Sequence, residues 1–153
     1  MGEGEDGHAA FDRVAETYDQ EMKANPSMRY MRAISLATLQ NAFSASQRVL
    51  EIGCGTGEEA VALARAGVRV LATDPAAKML AVTERRLAEE GLEGWVQTRQ
   101  VAAGELGMLL WEYGERSFDG AYSSFGPLNG ESSLQPVAVA LAALIRPGGI
   151  VVA

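Results

Sequence analysis

Apolar and polar positions follow two rhythms between residue 46 and the end of the chain. Short runs of branched and apolar residues, "RVLEI" (48–52), "VRVLATD" (68–74), "WVQTRQVA" (95–102), "FDGAYSS" (118–124) and "IVVA" (150–153), predict five strands. Between them lie longer segments with apolar residues at helical spacing: one ending at Gly67, one from about Ala76 to Glu90 stopped by Gly91, and "SLQPVAVALAALI" (133–145). Pro75 suits the first turn of the middle helix, and Pro136 is tolerable only near the start of the last. Pro147-Gly148-Gly149 predicts a turn into the fifth strand. Upstream, Phe11, Val14, Ala15 and Tyr18 keep helical spacing through "AAFDRVAETYDQEM". Asn25-Pro26-Ser27 interrupts that pattern, and Ser27 is placed to cap a second helix reaching about Phe43. Strands alternating with helices predict an α/β fold, an open parallel sheet with right-handed crossovers.

Composition narrows the picture. The 153 residues suit one domain, with 48% hydrophobic and 22% charged positions. Residues 1–8, "MGEGEDGH", hold too few apolar groups to fold alone and are expected to be a disordered tail. Residues 9–46 form a helical segment and 47–153 the core. No apolar run is long enough to span a bilayer and no signal-peptide pattern opens the chain, so no membrane partner is expected. The net charge of −7 argues against a nucleic-acid partner, since Arg85-Arg86 is flanked by Glu84 and Glu89 and reads as a solvated helix face. The single cysteine, Cys54, forbids an intrachain disulfide and fits a reducing, cytoplasmic setting. One Cys and one His leave no zinc-type cluster, so no metal is expected.

The chemistry concentrates in "VLEIGCGTGEEAVALA" (49–64). In an open parallel sheet, ligands bind beyond the carboxyl ends of the strands, where this glycine turn would lie. Glycines at 53, 55 and 57 allow positive φ and close approach of a ligand to the backbone, and the helix that follows offers free N–H groups. Dinucleotides want G-x-G-x-x-G, but Glu58 stands at the last glycine position; the spacing present is E-x-G-x-G-x-G, from Glu51 to Gly57. A turn that merely packs helix against strand is the alternative. Asp74 closes the second strand beside that turn, where a carboxylate can accept two vicinal ribose hydroxyls; it could equally cap the following helix. Cys54 is either a reactive thiol at a helix N-terminus or a small residue fitted into a tight turn, and Glu51, Glu58 and Glu59 disfavour the thiolate.

"VLEIGCGTG" with "VRVLATDPAAKML", "FDGAYSSFGPLN" and "LIRPGGIVV" resembles the class I S-adenosylmethionine-dependent methyltransferases, small-molecule type. "FDRVAETYDQ" resembles the lid helix of the same group, so the resemblance runs from about Phe11 to the end. It implies a Rossmann-like sheet of five strands flanked by helices, with an N-terminal helical lid over residues 9–46. It further implies S-adenosyl-L-methionine as cofactor, S-adenosyl-L-homocysteine as product and a small-molecule acceptor. By the resemblance, Glu51, Gly53, Cys54, Gly55 and Gly57 would surround the methionine part and Asp74 would hold the ribose. Pro75 and Met79 would border the adenosine, Ser123, Ser124 and Phe125 would lie beside the sulfonium, and Tyr18 would close over the site.

Departures from the pattern carry their own expectations. Many relatives place an Asp after the third strand against the adenine amino group. Here the matching position is Ala102 or Ala103, and adenine would be held by backbone groups near Ala103 and Gly104, with Glu105 read as a surface residue. No general base can be named, and the amino-methylating Asn/Asp-Pro-Pro-aromatic signature is replaced by "SSFGPLN". Complete members continue with a helix and two more strands, so the chain is expected to stop at the fifth strand and to leave an edge open to self-association. Cofactor binding is then a stronger expectation than turnover. A non-catalytic binding module and a nicotinamide-dependent oxidoreductase are the alternatives.

Overall fold

The computed structural model describes residues 3–153. Its centre is β1 (Arg48–Ile52), an apolar run buried on both faces except at Arg48, as befits the middle of a parallel sheet. β2 (Arg69–Asp74) and β4 (Phe118–Tyr122) pair with β1 on either side, β3 (Val96–Gln100) adds to β2, and β5 (Ile145–Val152) adds to β4. All pairs are parallel and the order is β3-β2-β1-β4-β5. Strand order reverses between β1 and β4, which opens a crevice at the carboxyl end of β1.

Period-two alternation divides the sheet residues between two cores. Val49, Val70, Ala72 and Tyr122 pack with α3 (Pro26–Ala42), α4 (Glu58–Arg65) and α5 (Ala77–Glu90) through Leu39, Val61, Leu63, Leu80 and Leu87. Leu50, Ile52, Leu71 and Ala121 face the opposite way, against Leu106 and against Val137, Ala140 and Leu144 of the apolar helix before β5. Two connecting pieces were not anticipated from the sequence. A 3₁₀ turn (Ala103–Met108) running into the short helix α6 (Leu109–Tyr113) covers this second face, and another 3₁₀ turn (Pro127–Gly130) follows β4. The apolar helix before β5 is α7 (Gln135–Leu144), with its proline in the first turn as expected.

The N-terminal segment differs from expectation in three ways. Helix α1 (Glu3–Val14) begins inside the stretch expected to be a disordered tail, because extending a helix already anchored at Ala15 costs far less than starting one. Met1 and Gly2 lie outside the described residues. The single helix expected through Met22 is broken at residues 15–17, where the Thr17 hydroxyl and N–H both return to the Val14 carbonyl, and α2 (Tyr18–Ala24) starts afresh. Asn25, not Ser27, caps α3: its side-chain oxygen accepts from Ser27 N–H at 3.0 Å and Met28 N–H at 3.4 Å, with Pro26 in the first turn.

The last strand also starts earlier than expected. Ile145 already pairs with Phe118, and Arg146–Gly149 form a bulge before Ile150 pairs with Gly120. Gly148 takes φ +79° there, so the Pro-Gly-Gly turn is an interruption within β5 rather than its entrance. Among the described residues no helix is long and apolar enough to cross a membrane.

Gly120 is where β4, β5 and α3 meet. A Cβ there would stand 2.4 Å from the Ile150 carbonyl oxygen and 2.6 Å from the Phe43 ring. Gly120→Ala is expected to cost about 1–3 kcal/mol through overpacking, while Gly94→Ala, with nothing within 4 Å, changes stability by less than about 0.5 kcal/mol. Urea unfolding midpoints of the two variants check this.

Candidate functional site

At the end of β1 the chain turns through Gly53–Gly57 into α4. Cys54 N–H donates to the Thr73 carbonyl at 2.8 Å, which fastens the turn to the end of β2. Asp74 then holds it from the side: one carboxylate oxygen accepts Gly55 N–H at 2.8 Å and the other accepts Ala76 N–H at 2.9 Å. The Thr83 hydroxyl donates to the Gly55 carbonyl at 2.9 Å. Gly53, at φ +71°, packs against Pro127, and a Cβ would stand 2.3 Å from that ring. Gly55 is different: nothing lies within 4 Å of where its Cβ would point, so this backbone is open to a ligand.

The turn floors a cleft of about 240 Å³. Of the residues singled out in the sequence, Tyr18, Gly53, Gly55, Asp74, Pro75, Met79, Ala103, Ser124 and Phe125 line it. Phe125 adopts φ +62°, a left-handed conformation that costs a bulky side chain about 1–2 kcal/mol, and such strain concentrates at functional positions. Its ring lies under the Arg32 guanidinium, 4.9 Å from the centroid, and Ser124 shares a 3.0 Å hydroxyl–hydroxyl hydrogen bond with Ser35 of α3.

Glu51, Cys54, Gly57, Gly104 and Ser123 do not line the cleft, and each has a physical reason. Glu51 lies inside the sheet, 2% exposed, and burial first, then the neighbouring Glu59, raises its carboxyl well above the usual range. Burial likewise pushes the Cys54 thiol well up, with Glu51 and Asp74 adding to the effect; the thiol points at Thr83 and is not a reactive thiolate. Gly57 is needed for packing, since a Cβ would stand 2.7 Å from the Thr83 methyl. The Ser123 hydroxyl is turned inward and donates to the Ile52 carbonyl at 3.1 Å. Gly104 sits beneath the Glu131 carboxylate, just outside the lining, and Glu105 is exposed as expected.

Helices α1 and α2 roof the cleft through polar contacts. Asp12 of α1 accepts Lys78 N–H at 2.9 Å in the first turn of α5. Asp19 of α2 accepts the Thr56 hydroxyl at 2.5 Å and pairs with Arg86 of α5, which also pairs with Glu58 at 3.2 Å. Burial raises the Tyr18 phenol, which therefore keeps its proton.

Phe11, Ile52, Gly126, Pro127, Gly130 and Glu131 also line the cleft and were not named as site residues. Phe11 read only as part of an apolar helix face. The "FGPLN" segment carried a usable signal, because Gly-Pro directly after a strand end predicts a tight turn at the site. Glu131 carried none, since only the folded loop brings it to Gly104. A second, more open hollow over α7 and β5 contains none of the glycine-turn residues.

Comparison with known proteins adds four findings. A family model described as "Methyltransferase domain" matches residues 49–149. A protein of Geobacillus sp. (strain WCH70), named as a candidate methyltransferase, is 32% identical over 76 residues, covering 50% of this chain and 31% of that one. Among solved structures, an S-adenosylmethionine-dependent methyltransferase from Thiobacillus denitrificans in complex with S-adenosyl-L-homocysteine superposes with a TM-score of 0.61 at 28% identity, covering 76% of this chain and 45% of that one. The [4+2]-cyclase SpnF superposes with a TM-score of 0.67 at 26% identity, covering 79% of this chain and 43% of that one. The chain thus spans less than half the length of each of these relatives.

The buried acids set a pH dependence. Because the Glu51 carboxyl is raised in the folded state, the folded chain holds a proton that the unfolded chain loses above about pH 4.3. This contribution is complete below that pH and is lost as pH rises through the folded value. Glu51→Gln, a fixed neutral mimic, is expected to be as stable as the wild type near pH 4 and more stable at pH 7. Denaturant melts of both proteins across that range measure the difference.

Proposed function

Since the chain belongs to the methyltransferase-domain family, matched over residues 49–149, we propose that it binds S-adenosyl-L-methionine in the cleft and forms the cofactor-binding core of a methyltransferase acting on a small-molecule acceptor. The observation that carries this reading is Asp74. Its carboxylate lines the cleft at the end of β2, only 8% of the residue is exposed, and its two oxygens are held apart by Gly55 N–H and Ala76 N–H. A carboxylate with two separated oxygens at the end of this strand, lining the cleft, fits two vicinal ribose hydroxyls.

The other walls suit the same ligand. Pro75, Met79 and Ala103 would border a purine, and the open backbone at Gly55 would admit the amino-acid end beside Tyr18. When bound, the cofactor supplies a sulfonium-borne methyl group for in-line displacement. The chain's own task is to align and to exclude water. Phe11 and Tyr18 would do so from above, Ser124 and Phe125 from the β4 end. The protonated Tyr18 phenol serves as a hydrogen-bond donor, not a base.

Two observations favour a second reading, a module that keeps the cleft without methyl transfer: among the described residues no histidine or lysine lines it, and a protein similar in fold is described as a [4+2]-cyclase. Against dinucleotide binding stands Glu58, an acid in the first turn of α4, where a pyrophosphate would have to sit. Self-association belongs to the same proposal, since β5 has no second strand partner among the described residues and exposes Ile150 and Val151. So does a cytoplasmic setting, which rests on the lone buried Cys54.

Calorimetric titration with S-adenosyl-L-methionine, S-adenosyl-L-homocysteine and NAD tests the reading. Micromolar binding of the first two and none of NAD is expected. An S-adenosyl-L-homocysteine analogue lacking the ribose 3′-hydroxyl should bind wild type about tenfold more weakly, as removal of a charged hydrogen bond of roughly 1.5–3 kcal/mol requires, and Asp74→Asn should shrink that difference. A folded sample that binds NAD in preference, or binds no adenosyl ligand, overturns the proposal.

A further inference from the structure

We propose that Glu131 recognises the 6-amino group of the cofactor's adenine, replacing from the loop after β4 an acceptor that the loop after β3 does not provide. This inference rests on the reading of the cleft as an S-adenosylmethionine site. Of the stretch after β3 only Ala103 lines the cleft; it and its neighbours Ala102 and Gly104 carry no polar side-chain atom, and the nearby Glu105 is exposed and outside the lining. An exocyclic adenine amine is a pure donor and needs an acceptor when it leaves water.

Glu131 supplies one from across the cleft. It lines the same space as Ala103, Pro75 and Met79, and its Oε2 stands 2.9 Å from the position a Cβ on Gly104 would take. Gly104 therefore leaves room for this carboxylate, and any larger residue would displace it. The side chain makes no hydrogen bond or ion pair among the described residues, while its own N–H donates to the Leu128 carbonyl at 3.2 Å and fixes the start of the side chain. Among the described residues Glu131 is the one acid besides Asp74 that lines the cleft, and Asp74 is already committed to the glycine turn and to Ala76. The arrangement leaves a half-buried carboxylate lining the cleft beside Ala103 with no donor among the described residues.

A site built to accept a hydrogen bond from the amine discriminates against a purine without it. The test compares S-adenosyl-L-homocysteine with its analogue carrying hydrogen in place of the 6-amino group, by calorimetric titration of wild type, Glu131→Ala and Glu131→Gln. Wild type is expected to prefer the amino-bearing ligand by about tenfold or more. Glu131→Ala should narrow the preference to less than about threefold by weakening only the amino-bearing ligand. Glu131→Gln, whose amide oxygen still accepts, should keep an intermediate preference. An unchanged preference in Glu131→Ala overturns the proposal, and so does equal weakening of both ligands, which would put Glu131 on a hydroxyl or ammonium group instead. A wild type that binds neither ligand overturns the cofactor reading itself, and this inference with it.

Discussion

The carboxylate of Asp74 is the fastening on which the rest of this site depends. A nearly buried acid is costly unless its oxygens are satisfied, and here two backbone N–H groups do so, one from the glycine turn and one from the approach to α5. The same bonds settle three positions at once: the end of β2, the path of the turn after β1 and the start of α5. Asp12 of α1 reaches the first turn of α5 as well, so the roof of the cleft is referenced to the same helix end as its floor. Fold and site are one structure at this point.

Charge around the turn gives the cleft a sign. Asp19, Glu58, Glu59 and Asp74 gather near it, answered by Arg86 and Arg32, which are themselves spent on Asp19, Glu58 and Glu59. Glu51 and Glu59 are both pushed toward the neutral form by burial, which limits the repulsion the fold must carry. What remains is an acidic surrounding that suits a cationic sulfonium and opposes a pyrophosphate. The same burial that pushes Glu51 toward its neutral form raises the Cys54 thiol and disfavours a reactive thiolate there.

The roof and the sheet are held by different physics. Sheet residues such as Val49, Leu50 and Ala72 are fully enclosed, whereas α2 fully buries no residue. It packs the partly buried Tyr18 against a small cluster of Ala15, Ala76, Met79 and Val82 and is otherwise held by Asp19 with Thr56 and Arg86 and by Lys23 with Glu58. Contacts of that kind are screened by salt and yield before a packed core does. A cleft that must admit and release a ligand is served by a roof attached in this way.

The sequence alone determined the five strands, their alternation with helices and the place of the glycine turn, because burial on both sheet faces and the φ demands of turns act locally on residue type. It also singled out Asp74 at the end of β2: the carboxylate lines the cleft and accepts Ala76 N–H just ahead of α5, though no side chain caps that helix. It misread the N-terminal segment, where the choice between Asn25 and Ser27 as cap and the break at Thr17 turn on one hydrogen bond each. The resemblance placed Glu51, Cys54, Gly57 and Ser123 around the cofactor, whereas the pleat and the helix start turn them into the interior, off the lining of the cleft. Glu131, Pro127 and Phe11 reach the cleft only through the packing of α1, α5 and the loop after β4. Such meetings between residues dozens of positions apart leave no periodic trace in a sequence, and only the tertiary structure decides them.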